Sequence, residues 1–309
     1  MNRLFFLGFL FTVIASVFWG AMGTAVQHLF QIKSGFFALG LVTLRQLSAG
    51  VLFVAIGTLI MPRKMWSIFN DRKLLLEILT SGALVFLAHF CFFQSISYSN
   101  AGTAAIFLTL NPMLAGLWLT LVRGTKMSSV ECICAVLAAA GVALMVTDGD
   151  FSGLKFSPMA VVWGLCSAVF ATAFSIQPQK PSAKAGVTVV VAWAFLFGGV
   201  IASFFCPPWM LNVNWNWVVT ADFAFIVVFG TVAAFWLYLT GLKYISPVVS
   251  GLVVCLEPLS AIVFSMVLLG DVLGLWQAVG VVLVLANICL LALRVDRLNR
   301  SFVRLCRDA

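Results

Sequence analysis

The stretch SYSNAGTAAIFLTLNPMLAGLWLTLVRG (residues 97–124) aligns without a gap with KYISPVVSGLVVCLEPLSAIVFSMVLLG (residues 243–270), at an offset of 146 residues. In both stretches a polar residue precedes a shared proline midway along a hydrophobic run, asparagine in the first and glutamate in the second. A duplicated hydrophobic unit with helix breakers at equivalent places is typical of secondary transporters. The identical pairs are Tyr98/Tyr244, Leu110/Leu256, Pro112/Pro258, Ala115/Ala261 and Gly124/Gly270.

The composition places the chain among membrane proteins. Hydrophobic residues make up 63% of the 309 residues, charged residues make up 9%, and the mean hydropathy is +1.13. A soluble domain carries roughly 25% charged residues. The net charge of +8 does not indicate a nucleic-acid partner, because the basic residues lie in short loops between apolar runs and report membrane topology instead. Membrane lipid is therefore the expected surrounding, and no nucleic acid is expected to bind.

Ten apolar runs are long enough to cross the hydrocarbon core, which takes roughly 20 helical residues. Since backbone groups in lipid must satisfy one another, each run should be a helix, and the predicted fold class is an all-α polytopic membrane protein. The first run is too long for a typical signal-peptide core, so we expect it to be retained as a helix. The runs lie near residues 4–27, 36–61, 74–96, 101–122, 129–147, 157–178, 186–206, 218–242, 247–269 and 273–293.

Lysine and arginine are distributed unequally between the loops. One set of loops, together with the C-terminal tail, holds 15 of the 18 basic residues, whereas the opposite set holds only Lys33 and Lys155. The remaining basic residue, Arg45, lies inside the second run. This bias predicts cytoplasmic N- and C-termini, and it places the tryptophan-rich loop at residues 207–217 at the outer interface.

Ten helices in two similar halves predict inverted repeats. A unit with an odd number of spans inserts with the opposite orientation when it is repeated in tandem, and the substrate site then lies between the halves near the membrane midplane. We expect two inverted five-helix repeats joined by a short linker that contains glycine and aspartate. The predicted boundaries are 1–147 for the first repeat, 148–156 for the linker, 157–293 for the second repeat and 294–309 for a basic cytoplasmic tail.

Three polar residues at membrane depth are candidates for the substrate cavity. A carboxylate near the centre of the ninth run, Glu257, costs on the order of 2.5–3.5 kcal/mol in lipid, so it should face the bundle interior or water. It could carry a proton, bind a substrate amine or only brace the adjacent kink. Asn111 occupies the equivalent place in the fourth run. Arg45 could extend to the membrane interface or pair in the cavity with a carboxylate of protein or substrate.

Five further side chains are candidates for the cavity. His89 could change its charge near neutral pH, or it could be an ordinary hydrogen-bonded core residue. Trp19 and Trp236 could stack on an organic substrate or on a cation, or they could pack only against protein and lipid. Gln94 in the third run and Gln177 near the end of the sixth run are the remaining polar candidates.

Two prolines are expected to shape helices. Pro112 and Pro258 remove the hydrogen bonds to the carbonyls of Leu108 and Val254. Carbonyls freed in this way can kink a helix, bind water or contact substrate. Because the prolines recur in both halves, we expect gating kinks; the alternative is a kink that serves packing alone.

Three motifs together resemble a known family. They are FWG in the first run (residues 18–20), an arginine within TLRQLSAG in the second run (Arg45), and LEP…LLGD (residues 256–271). With the helix count, this combination resembles the EamA family of the drug/metabolite transporter superfamily, in its bacterial inner-membrane form, over nearly the whole chain. Two positions depart from the pattern: Asn111, where the second half has glutamate, and Asp271, where glutamate is common. The resemblance implies export or exchange of small polar metabolites, such as amino acids or related compounds, driven by an ion or solute gradient.

The expected function is secondary active transport, in the direction of export, of a small polar metabolite across the cytoplasmic membrane by alternating access. A facilitative uniporter or an exchanger without proton coupling is the alternative, and an integral-membrane sensor or enzyme is a remote one. The sequence contains no ATP-binding GxxxxGK[ST] motif, no GxSxG elbow and no Cys/His metal spacing. We therefore expect no enzymatic activity, no catalytic residue, no metal and no cofactor. The expected partner is a small-molecule substrate, and the chain is expected to be a monomer or a homodimer.

Overall fold

The computed structural model describes residues 3–123, 129–150, 155, 157–245, 247–254, 256–286 and 290. Over these residues the chain is helical and contains no β-strand, which confirms the predicted all-α class. A π-helical segment, Val228–Ala233, joins the helix that ends at Val227 to the helix that begins at Ala234. The helices are α1 (Arg3–Gln31), α2 (Ala38–Ile60), α3 (Pro62–Trp66), α4 (Arg72–Tyr98), α5 (Ala101–Leu108), α6 (Asn111–Arg123), α7 (Ser129–Thr147), α8 (Pro158–Ile176), α9 (Gln179–Ala185), α10 (Val187–Phe205), α11 (Trp217–Val227), α12 (Ala234–Gly241), α13 (Pro247–Val254), α14 (Leu256–Leu269) and α15 (Leu275–Ala286).

Within the described part of the chain, seven helical segments are long and apolar enough to cross a membrane. Three shorter apolar helices, Ile133–Thr147, Leu256–Leu269 and Leu275–Ala286, lie within the remaining three predicted runs. The chain is therefore a polytopic helical membrane protein, with a helical segment in each apolar run. The seven longer segments are Arg3–Gln31, Ala38–Ile60, Arg72–Tyr98, Ala101–Trp118, Pro158–Ala185, Val187–Phe205 and Trp217–Gly241.

Polar side chains determine where several of these helices begin, because the first backbone N–H groups of a helix have no partner inside it. The carboxylate of Asp71 accepts hydrogen bonds from the N–H groups of Lys73 and Leu74 at 3.0 and 3.1 Å, and α4 begins at the next residue. The bond from Leu74, followed by the charge of Lys184, holds the pKa of the Asp71 carboxyl below its usual value. Comparable caps at α5, α8 and α11 are provided by Asn100, Ser157 and Asn216.

The fourth apolar run is interrupted just before its proline. Helix α5 ends at Leu108, residues 109–110 form a turn, and α6 begins at Asn111. Pro112 is thus the second residue of a new helix, where the missing N–H leaves no hydrogen bond unmade. The run is built from two helices with a turn between them.

The ninth apolar run contains helix α13, described to Val254, and helix α14, described from Leu256, while Cys255 lies outside the described residues. Glu257 and Pro258 both lie in α14.

Close packing of helices positions the residues discussed below. Helix α1 packs against α12 and α14, whereas α10 packs against α2 and α4, and α4 also packs against α8. A Cβ atom at Gly20 of α1 would lie 2.7 Å from the carbonyl oxygen of Glu257 in α14, and one at Gly50 of α2 would lie 2.5 Å from the backbone of Leu196 in α10. Glycine is thus required for these close approaches, which is a common use of small residues between membrane helices.

Polar contacts join the loops at one end of the molecule. In the α10–α11 loop, the N–H of Asn214 donates to the carbonyl of Ser34 in the α1–α2 loop at 2.8 Å. The side chain of Gln27 accepts from the N–H of Ala101 at 2.7 Å and donates to Asp271 at 2.8 Å. These bonds tie α1 to the beginning of α5 and to the segment that follows α14.

Candidate substrate cavity

A cavity of about 170 Å³ lies between α1, α2, α4, α5, α8, α12 and α14. Four of the eight residues predicted for a substrate cavity line it, namely Trp19, Arg45, His89 and Glu257. Opposite charges, an imidazole and an indole therefore face one space with otherwise mainly apolar walls. The other lining residues are Met22, Val85, Ala88, Phe92, Leu108, Ser167, Ala171, Phe174 and Phe235.

Arg45 is buried among the helices and does not extend to the membrane interface. Its exposed fraction is 0%. The Nε–H group donates to the hydroxyl of Thr231 at 2.8 Å, and the guanidinium carbon lies 5.3 Å from the centre of the Phe93 ring. Its two terminal nitrogens, Nη1 and Nη2, have no hydrogen-bond acceptor among the described residues. The guanidinium is thus held on one edge and one face, and its remaining donors are free for a ligand.

Thr231 lies in the π-helical segment Val228–Ala233. Its hydroxyl donates to the carbonyl of Ile226, five residues earlier, at 2.8 Å, and it accepts from Arg45. π-Helical segments inside α-helices are rare and occur frequently at functional sites. Here the segment supplies the one side-chain acceptor that Arg45 has within the described part of the chain.

Glu257 reaches the cavity from α14. Arg45 lines the same cavity. The ion pairs among the described residues are nevertheless His28–Asp222, Lys155–Asp148 and Lys184–Asp71. The two cavity charges therefore face each other without closing to a salt bridge.

His89 is oriented by Gln46. The amide nitrogen of Gln46 lies 3.2 Å from the carbonyl oxygen of Val85 and 3.2 Å from Nδ1 of His89. Gln46 thus links His89 to the backbone of α4 at the cavity wall.

Trp19 belongs to an aromatic wall. Its ring centre lies 5.2 Å from that of Phe235 and 5.3 Å from that of Tyr238. These tilted and edge-to-face arrangements are the favoured ones for aromatic pairs. The wall joins α1 to α12 on one side of the cavity.

Four predicted residues do not line this cavity. The carbonyl oxygen of the Asn111 side chain accepts from Thr172 at 3.2 Å, and the Gln94 side chain accepts from Ser97 at 3.2 Å. Gln177 accepts from Ser81 and donates to the carbonyl of Glu77 at 2.8 Å, which joins α8 to α4. Trp236 is 39% exposed on the surface of α12. Pro112 lies at the start of α6, and Pro258 lies in α14.

Comparison with known proteins identifies the family of this chain. The model of the "EamA-like transporter family" matches residues 6–147 and again residues 158–293. The chain belongs to the EamA-like transporter family. A relative from Salmonella typhimurium, described as "Uncharacterized inner membrane transporter YicL", is 31% identical over 301 residues, covering 95% of this chain and 98% of its own length. A second, from Bacillus subtilis, described as "Uncharacterized transporter YetK", is 25% identical over 214 residues, covering 66% of this chain and 63% of its own.

A solved structure has a similar fold. It is described as "Crystal structure of protein", aligns with a TM-score of 0.64 and 17% identity, and covers 94% of this chain and 98% of its own. This likeness concerns the fold alone. Family membership and the relatives identify the chain as a membrane transporter, in agreement with the resemblance read from its motifs.

The structure adds site residues of this EamA-like protein that the sequence did not single out. They are Thr231 and Phe93, which hold Arg45, and Gln46, which holds His89. Thr231 is one of many threonines and carries no local signal, because its importance depends on an arginine far away in the sequence. Gln46 is adjacent to Arg45 and is a polar residue in an apolar run, so the sequence could have indicated it as a site residue.

A second, larger groove lies away from these charges. It has a volume of about 580 Å³ and is lined by α1, α11 and α14. Its walls are apolar apart from Thr24 and the pair formed by His28 and Asp222, whose Nδ1 and Oδ2 atoms are 2.7 Å apart. The groove lacks the convergent polar groups of the smaller cavity, which makes the smaller cavity the candidate substrate site.

Proposed function

We propose that this EamA-like protein is a secondary active transporter that exports a small polar metabolite, such as an amino acid or a related compound, by alternating access. The observation that carries this proposal is the cavity that Arg45 and Glu257 share. Arg45 belongs to the first segment matched by the family model and Glu257 to the second. A site between two similar halves is where inverted-repeat transporters bind their substrates.

The proposed architecture has ten membrane spans in two inverted five-helix repeats, residues 1–147 and 157–293, joined by residues 148–156 and followed by a basic tail. Both termini are cytoplasmic in this arrangement. Seven long segments and three shorter apolar helices in the described residues support ten spans. The hydrogen bond between the α1–α2 and α10–α11 loops supports a common side for the loops after the first and seventh spans.

Glu257 is the proposed proton carrier. A membrane potential of 100 mV supplies about 2.3 kcal/mol per elementary charge, so one coupled proton sustains a solute gradient of roughly fiftyfold. Arg45 and His89 are the other titratable side chains that face the cavity within the described part of the chain. Their charge, or that of the substrate, would favour release of the proton once the cavity is occupied.

The alternative is a facilitative uniporter or an exchanger, in which Glu257 only binds the substrate. This alternative is consistent with the same cavity and the same family membership. It differs from the proposed function only in that transport is not coupled to protons. A sensor that binds a solute without moving it, or an integral-membrane enzyme, is a remote alternative that measured solute flux would exclude.

The test of the proposed function is solute flux through purified protein. Comparing the metabolites of medium and cytosol, in cells with and without the gene, ranks candidate substrates. The first-ranked substrate is placed at equal concentration on both sides of proteoliposomes, a proton gradient is imposed, and the voltage is clamped with potassium and valinomycin. We expect concentrative flux in the wild type, and its loss in Glu257→Gln.

Glu77→Gln is the matched control, because Glu77 is a carboxylate of α4 that does not line the cavity. It should retain the coupled flux. Flux that only equilibrates the solute under every gradient would make the protein a uniporter and remove the proton role of Glu257. Absence of flux for every ranked solute would contradict the transport function itself.

A further inference from the structure

The larger groove, lined by α1, α11 and α14, has no part in the transport function proposed above. Its volume is about 580 Å³, and Leu268 on its wall is 67% exposed, so the groove faces the membrane and not the interior of the bundle. Small side chains of α1, Ala21 and Ala25, lie between the larger rings of Phe225 and Phe264. The groove is therefore a hollow on the surface that lipid covers.

The groove is about as deep as one leaflet of a bilayer. Along α1 it extends from Val17 to His28, which is eleven residues further on and about 16 Å away at 1.5 Å per residue. The hydrocarbon core is about 30 Å thick, so one leaflet contributes about 15 Å. The side chain of Gln27 donates to Asp271, which places the end of α1 beside the end of α14. The groove thus begins at one surface of the membrane and ends near the midplane.

The deep end of the groove is apolar. The rings of Phe18 and Phe225 meet edge to face there, with their centres 6.4 Å apart. Part-way along the groove, the hydroxyl of Thr24 lies 3.4 Å from the carbonyl oxygens of both Gly20 and Ala261, so its proton already has acceptors within the protein. A single acyl chain fills such a hollow without leaving a polar group unpaired.

The shallow end of the groove carries a carboxylate at the depth of lipid headgroups. Oδ2 of Asp222 lies 2.7 Å from Nδ1 of His28, and both side chains are partly exposed. The other oxygen, Oδ1, has no hydrogen-bond donor among the described residues. His28 is also the one ion-pair partner of Asp222 in the described part of the chain, and an imidazole balances a carboxylate only when it is protonated. Asp222 therefore offers a charged acceptor to a headgroup.

The chemistry of Asp222 distinguishes between headgroups. A carboxylate repels a headgroup whose only charge is its phosphate, such as phosphatidylglycerol. A primary ammonium carries three N–H donors and forms charge-assisted hydrogen bonds with a carboxylate. A trimethylammonium has the same charge but no N–H donor. Phosphatidylethanolamine, which carries the primary ammonium, is the headgroup that complements Asp222 best.

We propose that the groove between α1, α11 and α14 binds one phospholipid with a primary amine headgroup, with an acyl chain against Ala21 and Ala25 and the ammonium on Asp222. In the proposed topology this lipid belongs to the outer leaflet. A helix of a second copy fits the groove less well, because such a helix crosses the full 30 Å or so of the membrane, about twice the depth of the groove. The lipid site is separate from the substrate cavity and does not rest on the transport function.

The first test compares headgroups on the wild-type protein by native mass spectrometry from detergent micelles. Phosphatidylethanolamine, phosphatidylcholine and phosphatidylglycerol with identical acyl chains are added singly, and the dissociation constant of the first bound lipid is measured. We expect phosphatidylethanolamine to bind about tenfold more tightly than either of the others, because only its ammonium donates to Asp222. Equal affinities for the three lipids would overturn the assignment, whatever any variant does.

The second test removes the charge that selects the headgroup. Asp222→Asn keeps the shape of the side chain, and it should bring the affinities for phosphatidylethanolamine and phosphatidylcholine within about twofold of each other. Glu77→Gln is the matched control, because Glu77 is a carboxylate of α4 outside the groove, and it should keep the tenfold preference. A preference that survives in Asp222→Asn would contradict the role of Asp222.

The third test fills the groove. Ala25→Phe places a ring where the acyl chain is expected and should weaken binding of phosphatidylethanolamine about tenfold. Ala139→Phe makes the same change at an exposed position of α7 and should bind as the wild type does. Equal binding by the two variants would show that the lipid lies elsewhere. A wild-type dimer that Ala25→Phe abolishes would mean that a second copy fills the groove, and it would overturn the lipid assignment.

Discussion

At the residue scale, the buried guanidinium of Arg45 shows how a charge is held at membrane depth. One edge is bonded to Thr231, one face lies against Phe93, and the opposite charge of Glu257 faces the same cavity. A buried arginine is tolerated in such a place only where neighbouring groups compensate for lost water. Thr231 is the neighbour whose contribution can be removed with the smallest change of shape.

The substitution Thr231→Val should destabilise the protein by about 1–3 kcal/mol, because it leaves the charged Nε–H group buried without an acceptor. Thr231→Ser keeps the hydroxyl and is the matched control, with a much smaller expected loss. The measurement is reversible unfolding in detergent micelles, followed by circular dichroism. Equal stability of the valine and serine variants would show that the hydroxyl is not what holds Arg45.

At the scale of elements, the fourth run has an interruption that a continuous helix would lack. The turn at residues 109–110 separates α5 from α6, and Pro112 follows in the first turn of α6. We propose that the two halves of this run move relative to each other during transport, with the proline keeping them separate.

The substitution Pro112→Ala tests this proposal. Alanine favours a continuous helix by up to about 3 kcal/mol relative to proline in a helix interior, so α5 and α6 would tend to fuse and transport should slow. Pro158→Ala is the matched control, since Pro158 is the first residue of α8 and no helix directly precedes it. The measurement is the initial rate of flux in proteoliposomes. A Pro112→Ala rate equal to that of the control would mean that the proline serves packing alone.

At the scale of the whole molecule, residues from both segments that the family model matches line the cavity. Hydrogen bonds join helices and loops at one end of the bundle. At that end Gln27 links α1 to Ala101 and to Asp271, and the loops at Ser34 and Asn214 share a hydrogen bond. In the proposed topology this end faces outward.

The orientation can be tested by cysteine labelling. Asn214→Cys and Arg63→Cys are introduced separately, at exposed positions in different loops, into protein whose reactive native cysteines have been replaced by serine. An impermeant thiol reagent applied to intact spheroplasts should label the first variant, and it should label the second only after lysis. Labelling in the reverse order would place residues 207–217 in the cytoplasm.

The sequence by itself determined the class of this protein, because hydropathy and helix length are local properties of the chain. Ten apolar runs, the polar residue before each shared proline, and the motifs resembling the EamA family were all visible without coordinates. The same local reasoning singled out Arg45 and Glu257, since a charge inside an apolar run is costly wherever the run packs. It also selected Asn111, Gln94, Gln177 and Trp236 with equal justification.

Only the tertiary structure decided which of these side chains share a cavity. Helical rotation and packing direct Arg45, His89 and Glu257 to one space, whereas the carbonyl oxygen of Asn111 meets Thr172 and Gln177 joins α8 to α4. The partner of Arg45, Thr231, lies in a π-helical segment of a distant helix, and no pattern in either segment records that contact. The free-energy cost of a polar side chain in lipid depends on that residue alone. Which side chains pair depends on where distant helices cross, and the crossing points are fixed only by packing of the whole bundle.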